Sequence, residues 1–199
     1  MKLSIEEIYH VYNQGNNRRT LFYSEDDHQY FLSLFRKRVL PYAEVLAWCL
    51  MSNHFHILLV CKAEGAAEKR IGNVISTELG NAIRLMQSQY AQYLNQKQGN
   101  SGSVFRQKVK MKLLERGEVH YPWVCFHYIH QNPLRAGLVN KLEDWRYGSY
   151  LEYTTMPEEG ICNRDMAIRL LDINPSTFAE DSQLAIPEDK LKVVRPTFP

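Results

Sequence analysis

No apolar run in the 199 residues approaches the ~20 that a bilayer-spanning helix needs, and Met1-Lys2-Leu3-Ser4-Ile5-Glu6-Glu7 lacks the character of a signal peptide. The expectation is a cytoplasmic protein with no membrane partner. Cysteine is sparse: Cys49, Cys61, Cys125 and Cys162 lack the close pairing of a zinc knuckle or a redox dithiol, and free buried thiols in a reducing compartment are expected. Charge of one sign is also lacking, since 24 Lys and Arg against 22 Asp and Glu leave a net +2, which excludes a uniformly basic binder of the histone kind. Neither an internal repeat nor a low-complexity tract is present. What remains, 45% hydrophobic and 23% charged, suits one globular domain, or one domain with a tail, and is enough for a sizeable core.

Charge is distributed unevenly along the chain. Lys97 to Lys112 holds five basic residues and no acid, and Asp172 to Asp189 five acids and no base. A local basic stripe can neutralise phosphates while an acidic tail hides it in the sum.

Hydrophobic periodicity divides the chain into alternating elements. Ile8 to Asn13 alternates as a strand and is closed by Gly15-Asn16-Asn17. Ser24 with Glu25-Asp26-Asp27 opens a helix whose stripe of Phe31, Leu34, Phe35 and Val39 runs until Pro41. Ala43 to Met51 and His54 to Cys61, separated by Ser52-Asn53, form an antiparallel hairpin. A long helix is predicted from about Ile71 to Asn95, broken by Gly99-Asn100-Ser101-Gly102, before an extended stretch from Val104 to Leu114. Glu118 to about Asn132 reads as a helix ended by Pro133, because proline disfavours helical geometry in the residue before it.

After about Leu151 periodicity fades, apart from a short helical segment at Arg164 to Leu171, and Pro175, Pro187, Pro196 and Pro199 suggest an irregular tail. The order of strands and helices is that of a ferredoxin-like unit in the α+β class, an antiparallel sheet covered by helices, with the domain over residues 1–150 and a partly irregular C-terminal extension over 151–199.

His54 and His56 flank Phe55. Residues two apart on a strand share a face, so both imidazoles project outward while Phe55 enters the core. Spacing alone allows two readings: half of a metal site, or two partly exposed histidines that bind nothing. Tyr128 and Asn132, four apart, lie about 40° apart around a helix and one turn apart along it. An amide oxygen of Asn132 could therefore join the two histidines as a third ligand with Tyr128 beside the ion, and Gln131 is the rival ligand. Equally, Tyr128 could be a core aromatic and Asn132 a helix cap. In the extended stretch Arg106, Lys108, Lys110 and Lys112 alternate on one face about 6.7 Å apart, near the phosphate spacing of an extended single strand, although solvated edge charges would look the same.

Four blocks in order decide between these readings. They are Tyr9-His10-Val11-Tyr12-Asn13-Gln14-Gly15-Asn16-Asn17-Arg18 with Phe22; Met51-Ser52-Asn53-His54-Phe55-His56; Gly102-Ser103-Val104-Phe105-Arg106-Gln107; and Tyr128-Ile129-His130-Gln131-Asn132-Pro133-Leu134-Arg135-Ala136-Gly137-Leu138-Val139. Over roughly residues 8 to 150 the chain resembles the HUH-type single-tyrosine transposases, most closely the REP-associated tyrosine transposase group.

The resemblance implies a metal-dependent single-stranded DNA endonuclease and strand transferase. Tyr128 would be its nucleophile, leaving a 5′-phosphotyrosine link and a free 3′-hydroxyl, with His54, His56 and Asn132 holding Mg²⁺ or Mn²⁺. The substrate class it implies is single-stranded or hairpin DNA near palindromic repeats, in a monomer or homodimer associated with the nucleoid. Arg18, Arg19, Arg106, Lys108, Lys110, Lys112 and Arg135 are the candidate DNA contacts. Ser52 departs from the proline the family often carries before the Asn-His pair, which should alter turn rigidity rather than metal chemistry. A domesticated hairpin-binding protein with little transfer activity is the competing reading, and a hydrolase of small phosphoesters is a third.

Overall fold

Alternation and β-branched residues fix the first three strands: β1 (Ile8–Gln14), β2 (Ala43–Met51) and β3 (His54–Cys61). In the computed structural model, which describes residues 3–115, 117 and 120–195, β3 pairs antiparallel with both of the others, Tyr12 opposite His56 and Cys49 opposite His56. Between β1 and β2 lies α1 (Glu25–Arg38), closed at its start by a reciprocal box in which Asp27 accepts from the Ser24 backbone while Ser24 accepts from the backbone of Asp27. A short α2 (Ala63–Ala66) follows β3, then β4 (Glu68–Ile71), β5 (Val74–Thr77) and the long α3 (Glu78–Gln98). The edge strand β6 (Lys110–Leu113) pairs with β1 and gives the order β2-β3-β1-β6. The α+β class with an antiparallel sheet covered by helices is as expected from the sequence, and the helices lie on both faces of the sheet.

Three sequence expectations are corrected here. Residues 71–77 belong to the β4–β5 hairpin, turned at Gly72 with φ +58°, so α3 begins at Glu78 under the cap of Thr77. The extended stretch is regular only over Lys110–Leu113, and Arg106 and Lys108 precede the strand, so the four cations do not form one strand face. Helix α4 (Tyr121–Arg135) runs through Pro133. The proline loses the bond that its own nitrogen would donate, but Ala136 N still reaches Asn132 O at 2.9 Å and Leu138 N reaches Pro133 O at 3.0 Å, so the last turn closes. The predicted helix start at Glu118 lies outside the described residues.

The sheet is buried on both faces. Phe55 and Ile57 of β3 pack with Phe31, Phe35 and Tyr90 from α1 and α3 on one side. On the other, Leu58 and Val60 meet Val124, Cys125 and Ile129 of α4. A bulge at Leu46 helps β2 serve this second core, since Leu46 and Ala47 both enter it. Residues past 150 complete that core through α5 (Tyr150–Thr154), α6 (Arg164–Leu171), α7 (Phe178–Asp181) and α8 (Glu188–Val194), whose Leu171, Phe178, Leu191 and Val194 are buried. The segment at 164–171 is helical as its periodicity predicts. Its neighbours are short helices where an irregular tail was expected, because each needs the rest of the protein to cover its apolar side. Buried Glu152 ties this region to the sheet, accepting from Trp48 Nε1 at 2.8 Å and from the backbone N–H groups of Ile161 and Cys162.

A candidate active site between the sheet and the fourth helix

Because β1 and β3 pair in register, His10, Tyr12 and Gln14 share a face with Leu58, His56 and His54, their opposite partners. That face looks at α4. The two imidazoles therefore do not project outward into solvent as their alternation with Phe55 suggested: His56 is fully buried and His54 half-buried. Tyr128 of α4 sits edge-on to His56, ring centroids 5.7 Å apart, and the rings of His54 and His56 stand at 86° with centroids 5.0 Å apart.

The surrounding loops are held by backbone bonds. Gly15 N donates to Asn53 O at 2.8 Å, Asn16 N to Val104 O at 2.8 Å, and Leu21 N and Phe22 N both to Ser52 O. The departure at Ser52 thus falls on a turn fixed through its own carbonyl. The loop from Gly15 to Arg19 approaches itself so closely that a Cβ on Gly15 would lie 2.0 Å from Arg19 O, which requires glycine there. The loop and the segment after Phe105 carry Arg18 and Arg106 to the rim of a cleft of about 750 Å³.

Tyr128, His54, His56 and Asn132 line that one cleft together with Arg18, Arg106 and Arg135. Other expected residues are elsewhere. Gln131, the rival ligand, is turned away: its Nε2 donates to Ser182 O at 2.9 Å and Leu184 O at 2.8 Å. Arg19 is half-buried and does not line the cleft, and Lys108 lines a neighbouring groove with Arg84 that shares Arg106 with the cleft. Lys110 and Lys112 are exposed on β6, and Lys112 donates to Val193 O. His127 and His130 serve the core, bonded to Ser182 Oγ and Ser149 Oγ.

Two lining residues escaped the sequence reading: Gln14 brings a buried Oε1 with no hydrogen-bond partner, and Arg195 enters the cleft from the end of α8. His10, a candidate because it lies within the first of the four blocks, backs His56. Gln14 is legible in hindsight from the period-two pattern of β1, whereas nothing local in the sequence brings Arg195 here.

Burial sets the protonation of the site. It lowers the pKa of His10 to about 3 and of His54 to about 4, and holds His56 well below its ordinary value, with the neighbouring His54 and His10 adding to the effect. All three are neutral near pH 7, the state in which an imidazole can offer a lone pair. Burial also raises the Tyr128 phenol above its ordinary value, with Cys125 adding to the rise, while Arg195, Asn132 and Arg135 favour the phenolate.

Two observations bear on a metal. The His56 Nε2 is buried without a hydrogen-bond partner, and the Asn132 amide nitrogen is buried with no well-formed bond, although it favours the ionised form of Tyr128. Among the described residues no group of three or more His, Cys, Asp or Glu is arranged to hold a metal ion, so an ion here would draw on His54, His56 and an amide oxygen of Asn132 or Gln14. That donor set fits a divalent cation that accepts both imidazole and oxygen.

No protein-family model matches the chain, and no curated protein sequence matches it. Its structure is similar to that of a REP-associated tyrosine transposase bound to a REP hairpin, with a TM-score of 0.55 and 14% sequence identity, over 79% of this chain and 85% of that one. At this identity the likeness is one of fold. Among the described residues no helix is long and apolar enough to cross a membrane.

Proposed function

We propose that the protein is a metal-dependent DNA endonuclease and strand transferase, acting on single-stranded DNA at or near a hairpin through Tyr128. The observation that carries this reading is the convergence of Tyr128, His54, His56 and Asn132 in one cleft rimmed by arginines and, among the described residues, by no acid. In the proposed reaction Tyr128 Oη forms a bond to phosphorus as the P–O3′ bond breaks, the phenol proton passes to water, and the departing 3′ oxygen takes a proton from water to become a hydroxyl. His54, His56 and Asn132 would hold Mg²⁺ or Mn²⁺, which when bound supplies charge stabilisation at the phosphoryl oxygens. Arg18, Arg106 and Arg135 bind and orient the backbone phosphates, and Arg195 and Asn132 favour the phenolate. The phosphotyrosyl link conserves bond energy, so a 3′-hydroxyl can reverse the step and rejoin strands. The fold it shares with a transposase bound to a REP hairpin supports a hairpin as partner.

One observation favours a second reading, a hairpin-binding protein with little transfer activity. Tyr128 is only 6% exposed, and burial opposes its ionisation. The discriminating experiment incubates wild type and Tyr128→Phe with labelled single-stranded hairpins drawn from repeats near the gene, with Mn²⁺ or Mg²⁺, and resolves SDS-stable adducts. The transferase reading expects an adduct that requires both the metal and Tyr128. Salt-sensitive binding with no adduct on any hairpin would replace it with the binding reading.

A further inference from the structure

His10 lies wholly buried on β1, behind the two histidines of the site. Its Nε2 is 3.0 Å from His56 Nδ1, and the two rings stack at 27° with centroids 5.2 Å apart. Two neutral imidazoles in this contact share one proton, and its position has a consequence at the far side of His56. If His56 Nδ1–H donates to His10, the His56 Nε2 keeps its lone pair. If instead His10 Nε2–H donates, His56 carries its proton on Nε2 and has no lone pair to offer there.

The surroundings of the pair discriminate between the two arrangements. The Val194 carbonyl of α8 lies against His10 and favours a proton on that ring, although no hydrogen bond of ordinary geometry closes at Nδ1. A proton on Nδ1 is the arrangement that this carbonyl favours, and neutral His10 then has only an acceptor left at Nε2. His54 receives the same treatment from a different neighbour, its Nδ1–H donating to Asn53 Oδ1 at 2.7 Å. Both histidines then carry the proton on Nδ1, and the partnerless buried Nε2 of His56 is a lone pair. Outer partners of this kind fix the tautomer and ring direction of metal-binding histidines.

We propose that His10 is a positioning residue that keeps the shared proton on His56 Nδ1, so that His56 presents an unprotonated Nε2 to a divalent cation. This rests on the metal-dependent reading above, yet the proton arrangement belongs to the protein alone. Long-range ¹H–¹⁵N spectra of metal-free, histidine-labelled wild type therefore test it directly, and Mn²⁺ binding followed by the EPR signal of the free ion tests its consequence. The expected result is His56 with a pyridine-type Nε2, together with Mn²⁺ affinity reduced about 10- to 100-fold in His10→Phe, which keeps a buried ring but has no acceptor. His10→Gln, whose amide oxygen can accept from Nδ1, should hold affinity within a few-fold, and far-UV circular dichroism verifies the fold of both variants.

A proton found on His56 Nε2, or wild-type Mn²⁺ affinity in folded His10→Phe, would overturn the inference and leave the proposed function standing. The expected tautomer in a wild-type protein that binds no Mn²⁺ would overturn the metal-dependent function and, with it, the role of His10 toward a cation.

Discussion

Acidification from pH 7.5 to 5.5 should destabilise the protein far more than an ordinary histidine content would. His10, His56, His127 and His130 are each at most 4% exposed, and burial lowers the pKa of every one, to about 3 for His10 and about 4 for His127. The unfolded chain takes up these protons near pH 6.5 and the folded chain does not, so the histidines cost no stability above that pH and progressively more below it, down to the folded values. Each neutral buried histidine loses about 1.4 kcal/mol per pH unit in this window, and four of them about 5 kcal/mol by pH 5.5. That is comparable to the whole stability of a typical domain, roughly 5–15 kcal/mol. Carboxylates with lowered pKa, Asp27 and Glu44, titrate below the window and do not confuse it. Urea unfolding at both pH values, followed by fluorescence of Trp48, Trp123 and Trp145 with EDTA present, reads the difference. An unchanged midpoint, or NMR titration of these four rings near 6.5, would refute the picture of neutral buried imidazoles.

Three further outcomes follow from particular contacts. Glu152→Ala leaves the Trp48 indole and the Ile161 and Cys162 N–H groups without their acceptor and should cost about 3 kcal/mol or more, seen as a lowered Tm, with Glu152→Gln milder. Gly15→Ala forces the Arg19 carbonyl aside and should weaken hairpin-DNA binding, measured by fluorescence anisotropy, more than it lowers Tm, because Arg18 rides on that loop. Arg106→Ala and Arg135→Ala should each lower the slope of log affinity against log salt by about 0.7 if each meets one single-strand phosphate, and an unchanged slope would remove that residue from the DNA path.

The strands that build the site are legible because their side chains alternate and their ends carry turn residues: β2, β3 and the Ser52-Asn53 turn fall where the sequence puts them. What covers a strand face is not local information. The histidine pair reads as outward because nothing near residue 54 announces that α4, seventy positions on, and then α8 will cover it. The β4–β5 hairpin was hidden by a coincidence of spacing, since Ile71, Ile75 and Leu79 repeat every four residues as a helix would. Ile75 is 60% exposed, which an inward helical stripe would forbid, and the Gly72-Asn73 turn was the signal to weigh. Pro133 misled in the other direction, because tertiary packing of Ile129 and Asn132 outweighs the preference against helix before proline.

Burial acts on the proposed chemistry in two opposite ways. It keeps His54 and His56 neutral, as ligands must be, and it pushes the Tyr128 phenol toward its unreactive form. A deeper site would give better ligands and a worse nucleophile. What can separate the two effects is positive charge, which leaves a neutral imidazole neutral while lowering the cost of a phenolate. Arg195 and Arg135 already act on Tyr128 in that sense, and a divalent cation among the histidines would add to them at short range. Under the proposed function the arginine rim and the buried histidines are parts of one arrangement, in which Tyr128 would be quiet as a nucleophile until a cation and a phosphate backbone enter the cleft together.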